Sequence, residues 1–224
     1  MTISLSDAGK RYNRDWIFRH FTYTFNSGNN YAITGPNGSG KSTLLQAIGG
    51  AIGLSEGALV VSRESSVVSQ KPEVQSSGFQ VRGLAPADHE NLYRDIAIAA
   101  PYLEVIEEMT VTEFLAFHQT FKPLLPALTI KEIVAEVGLE TAAHKQIRYY
   151  SSGMKQRVKL AQAIFSDVPV ILLDEPCTNL DNAGVVLYQQ LIHTYCKNRL
   201  VIVSSNDEAE YGFCKERINI SNFK

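Results

Sequence analysis

The 224 residues, 45% hydrophobic and 20% charged, suit one α/β domain, or one domain with a subdomain, around an ample core. With 21 basic and 23 acidic side chains the formal net charge is −2, which removes any broad electrostatic case for nucleic-acid binding. No apolar run approaches the roughly 18 uncharged residues of a spanning helix, and Met1-Thr2-Ile3-Ser4-Leu5 meets Asp7 and Lys10 too early for a signal peptide.

The predicted elements begin with strands. Ile3–Leu5 and Trp16–Phe18 are short β candidates, and Phe21–Phe25 alternates cleanly. A turn over Asn26–Asn30 leads into the strand Tyr31–Thr34. A glycine-rich loop follows, then a helix over Thr43–Ile48, which the glycines from Gly49 to Gly57 close. Ala58–Val61 and Ser66–Val68 look like strands, whereas residues 69–91 show no clean period and read as loop. Ile96–Ala100 is a strand that stops at Pro101. Helical patterns then dominate: Val111–His118, Ile130–Val137 closed by Gly138, and Ser152–Phe165 with Val158, Ala161, Ile164 and Phe165 on its apolar face. Val170–Leu173 and Leu200–Val203 are continuous apolar strands separated by a helix over about 183–196. Such runs suit a parallel sheet covered on both faces, with the helices of 110–150 inserted into the α/β alternation.

Two stretches carry chemistry. Gly35-Pro36-Asn37-Gly38-Ser39-Gly40-Lys41-Ser42-Thr43 fits G-x-x-x-x-G-K-[ST] without a mismatch. Its glycines let the backbone curl so that several N–H groups point into one concavity. Lys41 can then reach β- and γ-phosphates, and the Ser42 hydroxyl can ligate Mg²⁺. The following helix adds the positive end of its dipole. Asp174-Glu175 comes directly after an apolar strand, where α/β sheets bind ligands. There Asp174 can hold a Mg²⁺ shell and Glu175 can polarise a water. Three scattered cysteines, Cys177, Cys196 and Cys214, without CxxC spacing, read as buried or incidental thiols in a reducing compartment. The five histidines show no metal-ligand spacing.

The order of these pieces resembles the ATP-binding cassette (ABC) ATPase family. Tyr150-Ser151-Ser152-Gly153-Met154 resembles the signature LSGGQ, with Ser151 and the second glycine, Gly153, retained, and Lys155-Gln156-Arg157 resembles its basic helix. Ser151, Ser152 and Gly153 lie at a helix N-terminus that favours an anion, although an ordinary serine N-cap would look the same. Thr178-Asn179-Leu180-Asp181 resembles the D-loop, with Asp181 as its acid. Tyr12 stands where the family places an adenine-stacking aromatic, with simple packing as the competing reading. Thr110-Val111-Thr112-Glu113 resembles the opening of the helical subdomain.

The resemblance implies an α/β fold: a P-loop NTPase core with a mostly parallel sheet, an N-terminal antiparallel β subdomain and an inserted helical subdomain. Residues 1–224 form a single cassette, with 1–101 and 166–224 as the core and 102–165 as the helical part. It also implies ATP and Mg²⁺ as cofactors, a head-to-tail homodimer or paired cassette, and a separate transmembrane permease. The protein would then be cytoplasmic, peripheral on the membrane through that permease. The form Tyr-Ser-x-Gly-Met-Lys-Gln-Arg is similar to exporter-type cassettes, the ABC-2 class in particular, with a haem-exporter-like cassette of cytochrome c maturation as a narrower alternative.

Two positions depart from the family. Tyr102 stands near the place of a glutamine that contacts Mg²⁺ and the attacking water, and a phenol lacks the amide's paired groups. Asn206 stands where a histidine contacts the γ-phosphate; it can donate but cannot carry charge. ATP binding is therefore expected intact and hydrolysis slow or differently organised, with Glu175 and Asn206 as catalytic candidates. The competing function is a soluble ABC ATPase acting on nucleic acid or ribosomes. It is disfavoured by the single cassette, the absence of a long coiled coil and the balanced charge. A GTPase would show N-K-x-D, and none is present.

Overall fold

The computed structural model describes residues 1–63 and 92–224. The strand expected at Ser66–Val68 and the loop expected over 69–91 lie outside the described residues.

The chain opens with a long hairpin, β1 (Thr2–Tyr12) and β2 (Asp15–Asn26), rather than the separate short strands expected. The pairing register shifts between Leu5 and Ala8 and again before Lys10 and Arg11. Asp7 and His20 sit at φ 47° and 53°. Each such bulge resets the period-two alternation, so a continuous strand reads as fragments. β3 (Asn30–Thr34) leads into the glycine loop and α1 (Lys41–Ile48), which starts two residues earlier than the apolar pattern indicated. β4 (Glu56–Ser62) pairs antiparallel with β1, completing a three-stranded sheet in the order β2-β1-β4.

β5 (Ile96–Ala99) precedes three helices: α2 (Val111–Gln119), α3 (Ile130–Glu136) and α4 (Ser152–Ile164). α2 and α3 begin alike. Thr110 and Thr129 accept from the N–H three residues on, while Glu113 and Glu132 accept from the threonine N–H groups in return. These capping boxes satisfy two otherwise orphaned donors per helix. β6 (Val170–Asp174), α5 (Asn182–Tyr195), β7 (Leu200–Ser204), α6 (Glu208–Tyr211) and β8 (Glu216–Asn219) complete the chain. The second sheet has the order β5-β6-β7-β3-β8, and every pairing in it is parallel.

β6 and β7 are buried at every position, which explains their unbroken apolar runs. One sheet face (Ile171, Leu173, Val201, Val203) packs with α2 to α5. The other (Val170, Leu172, Leu200, Ile202) packs with α1 and the antiparallel sheet. Asp174, at the carboxyl end of the interior strand β6, is thus seated on a strand buried at every position.

A buried serine ties the helices to the sheet. Ser166 donates through Oγ to the Gln162 carbonyl at 2.6 Å, and the His118 ring meets the same Oγ at 2.9 Å. With that hydroxyl proton committed, His118 must donate from Nε2. Burial pushes the His118 pKa down to about 4, and the Lys122 charge acts in the same direction. Above about pH 6.5 the imidazole is neutral in both folded and unfolded chains. As pH falls from there towards 4, the unfolded chain takes up a proton the folded one refuses. Stability is present at the upper end of that window and is lost on acidification. The full shift corresponds to about 3 kcal/mol, and partial exposure reduces the expected loss to about 1–2 kcal/mol. Urea unfolding of His118→Gln should therefore show a flatter dependence between pH 6.5 and 4.5; a slope equal to that of the parent protein would contradict this.

Candidate functional site

The loop between β3 and α1 curls as its glycines allow. Gly40 sits at φ 102°, and a Cβ there would lie 2.4 Å from Ile17 Cγ2, so both conformation and space demand glycine. The Ser39 N–H donates to Pro36 O at 3.0 Å. Lys41, buried, donates to Gly35 O at 2.8 Å and Pro36 O at 3.4 Å. Ser39 Oγ is buried without a hydrogen-bond partner among the described residues. A cleft of about 220 Å³ is lined by Ile17, Gly40, Lys41, Ser42, Thr43 and Glu175, together with Asn37 and Gly38. The two motifs read from sequence therefore share one concavity.

Asp174 pairs with Ser204 across β6 and β7 and is only 2% exposed. Its Oδ1 has no partner among the described residues. Glu175 leaves the strand at φ 43°, with its N–H donating to Ser204 O at 2.9 Å. A non-glycine residue in the left-handed region is uncommon and clusters at functional sites. Tyr102 comes close enough to Gln46 of α1 and to Asp174 to feel both. Burial raises the phenol pKa, a hydrogen bond from Gln46 opposes this, and the Asp174 charge raises it again. Tyr102 thus keeps its proton beside the carboxylate.

Asn206 lies beyond β7 and turns towards the glycine loop. Its Oδ1 accepts from the Gly35 N–H at 3.2 Å, and its Nδ2 donates to Asn37 Oδ1 at 3.0 Å. The side chain read as a phosphate contact is here a brace on the loop itself. Tyr12, half-exposed near the hairpin tip, has the Lys10 ammonium 5.2 Å from its ring centroid and does not line the cleft.

Ser151, Ser152, Gly153 and Asp181 are not in this cleft. Ser151 caps α4, its Oγ accepting from Met154 N–H at 3.3 Å, which leaves the hydroxyl proton free to donate. Ser152 is the first residue of α4. A Cβ on Gly153 would stand 2.8 Å from Asn179 O, so the close approach that demands glycine is to the chain's own loop after β6. Asp181 caps α5 through Gly184 N–H at 2.8 Å and lies 3.8 Å from Arg157 of α4. Within one chain, the start of α4 and the loop 178–181 form a single unit that does not line the glycine-loop cleft.

Sequence reasoning missed two buried polar side chains, Gln156 and Glu210. Gln156 was hidden within a basic helix, and Glu210 sits in a four-residue helix too short to show a period.

A strand–G-x-x-x-x-G-K-S–helix unit feeding a parallel sheet, with an acidic strand end beside it, defines a P-loop α/β protein. More narrowly, the chain belongs to the ABC transporter family, whose family model matches residues 18–178. The cytochrome c biogenesis ATP-binding export protein CcmA of Agrobacterium fabrum is 29% identical over 210 residues, 92% of this chain and 89% of that one. The sulfate/thiosulfate import ATP-binding protein CysA of Nocardia farcinica is 30% identical over 226 residues, 98% of this chain and 62% of its own. A solved ATP-binding subunit of an ABC transporter superposes with TM-score 0.79 at 22% identity, covering 98% of this chain and 86% of that one. A bacterial ABC transporter cassette described as dimeric gives 0.77 at 22% identity, covering 97% and 94%. The expected fold class, a parallel sheet with a separate antiparallel one, is the one found.

Proposed function

We propose that this chain is the ATP-binding and ATP-hydrolysing subunit of an ABC membrane transporter. Two cassettes face head to tail around two ATP and drive a separate transmembrane subunit, with residues 102–165 as the helical part. The observation that carries this reading is that two of the buried oxygens without partners among the described residues fall in the two motifs, Ser39 Oγ in the glycine loop and Asp174 Oδ1 at the end of β6. Leaving such a group unsatisfied costs about 1–3 kcal/mol. A phosphate oxygen answers the first and a divalent cation the second, so the residues present fit Mg·ATP.

In this reading Ser42 and Asp174 hold Mg²⁺, with Tyr102 beside them, and the ion supplies charge neutralisation on the phosphates. Loop N–H groups from Gly35 to Thr43 cradle the phosphates. Lys41 exchanges its carbonyl partners for phosphate oxygens. Glu175 orients the attacking water, help typically worth about 10²–10⁴ in rate. Tyr12 stacks on the adenine. Ser151, Ser152 and Gly153 complete the site from a second copy, close to its Asp181. With Asn206 occupied by Gly35 and Asn37 and Tyr102 a single-oxygen donor, we expect hydrolysis to be slow or differently organised.

Among the described residues no helix is long and apolar enough to cross a membrane. The transporter reading sets the cassette on the cytoplasmic face of a membrane, beneath a separate membrane partner. Affinity capture from detergent-solubilised membranes should return a polytopic membrane protein. Recovery of soluble partners alone, with salt-dependent retention on nucleic acid, would replace this reading with the soluble ABC ATPase.

A further inference from the structure

α6 is only four residues long, yet it carries a carboxylate that is almost completely enclosed: Glu210 is 5% exposed. A buried carboxylate needs donors, and Glu210 has one on a single oxygen: its Oε2 is buried without a partner among the described residues. Glu210 Oε1 accepts from the Cys177 N–H at 2.7 Å, and its main-chain carbonyl accepts from the buried Tyr188 hydroxyl at 2.8 Å. On the other side of the same loop, Gln156, 3% exposed, donates from Nε2 to Pro176 O at 2.7 Å.

Pro176 C=O and Cys177 N–H are the two halves of one peptide group. Gln156 of α4 holds its carbonyl and Glu210 of α6 holds its N–H, so the plane cannot rotate without breaking a buried hydrogen bond. The proline ring locks φ of Pro176 near −65°. With that φ and the following plane both set, the Glu175–Pro176 peptide is set as well. Little freedom then remains between the clamp and Glu175, which is itself held in the left-handed region at φ 43°.

We propose that Glu210 is a positioning residue for ATP hydrolysis, which with Gln156 clamps the Pro176–Cys177 peptide and thereby aims the Glu175 carboxylate. The clamp joins three parts of the cassette: the signature helix α4, the loop after β6, and the segment that carries Asn206. A shift of either helix is felt first at the peptide next to Glu175. Glu210 holds the Cys177 N–H through one accepting oxygen, a contact that an amide oxygen can also make. Burial raises its pKa, bonds from Ser205 and the Cys177 N–H oppose the rise, and the Asp207 and Glu175 charges add to it. A neutral amide is therefore a fair replacement and an alkyl chain is not.

The proposal rests on the ATPase reading, and its test separates the two. Glu210→Leu should lower kcat for ATP roughly 10- to 100-fold, the scale of a misplaced catalytic group, with KM within about twofold. Glu210→Gln, which keeps an accepting oxygen, should retain most of kcat. Amide hydrogen exchange over the peptide containing Cys177 should speed up in the leucine variant alone, with β6 unchanged. A leucine variant with unaltered kcat overturns the proposal, as does one in which kcat and KM worsen together and the glutamine variant fares no better. A parent protein without Glu175-dependent ATPase activity sinks the ATPase reading instead. In that case unchanged exchange at Cys177 in Glu210→Leu still disposes of the clamp.

Discussion

Glu175→Gln should abolish most ATP hydrolysis while leaving ATP bound, a loss of roughly 10²–10⁴ in kcat, the usual worth of a general base. The substitution keeps size and a hydrogen-bonding oxygen but removes the negative charge that attracts a water proton. Nothing else at the position needs to change: the backbone at φ 43° and the N–H bond to Ser204 O are indifferent to an amide in place of a carboxylate. With hydrolysis blocked, the ATP-bound state accumulates. If the signature of one copy completes the site of the other, the variant should run as a dimer with ATP and as a monomer without it, by light scattering on a sizing column. A variant loaded with ATP yet strictly monomeric would exclude the head-to-tail sandwich. Unchanged turnover would remove Glu175 from the mechanism.

The second large effect is expected at Asn206. Its amide makes two bonds to the glycine loop, and each is worth about 0.5–1.5 kcal/mol net. Asn206→Ala should therefore weaken ATP binding by roughly 10- to 30-fold, as the loop loses the donor at Asn37 and the acceptor at the Gly35 N–H. Titration with a fluorescent ATP analogue measures this directly, and wild-type affinity in the alanine variant would refute the brace. Asn206→His separates bracing from turnover. A histidine restores a charge-capable donor near the phosphates, so kcat should rise even as affinity falls. If kcat stays level, Asn206 does not limit the rate.

The most buried parts of this fold were the most legible. β6 and β7 are covered on both faces, so every residue from Val170 to Leu173 and from Leu200 to Val203 had to be apolar, and the pattern announced itself. The glycine loop was equally plain, because its backbone conformation admits few residue types. β1 and β2 were legible only in pieces, since bulges near Asp7 and His20 reset the alternation. β8 and α6 were not foreseen. β8 is an edge strand with three exposed residues in four, and α6 is shorter than one helical period repeated.

At the site, residue types were readable but partners were not. Gly153 reads as part of a helix start that favours an anion, and the nearest atom to a Cβ there within the chain is Asn179 O. Asn206 looked like a sensor and is found holding Gly35 and Asn37. The two Asn206 pairings join residues 171 and 169 positions apart, and no local pattern encodes them. Glu210 shows the limit most clearly. A glutamate among charged neighbours reads as solvated surface, and only the packing of α6 against α5 reveals it as interior.

All three thiols are buried, and burial holds each pKa at about 12. At neutral pH almost none of the sulfur is thiolate, the form that attacks oxidants and electrophiles. All three also lie near the enclosed Tyr188 ring, in the part of the core behind Glu210. Oxidative chemistry at this protein is therefore governed by how often that region opens, not by any surface cysteine. An alkylating reagent would record that opening, and the loop beside Glu175 is shielded from damage for as long as the core stays shut.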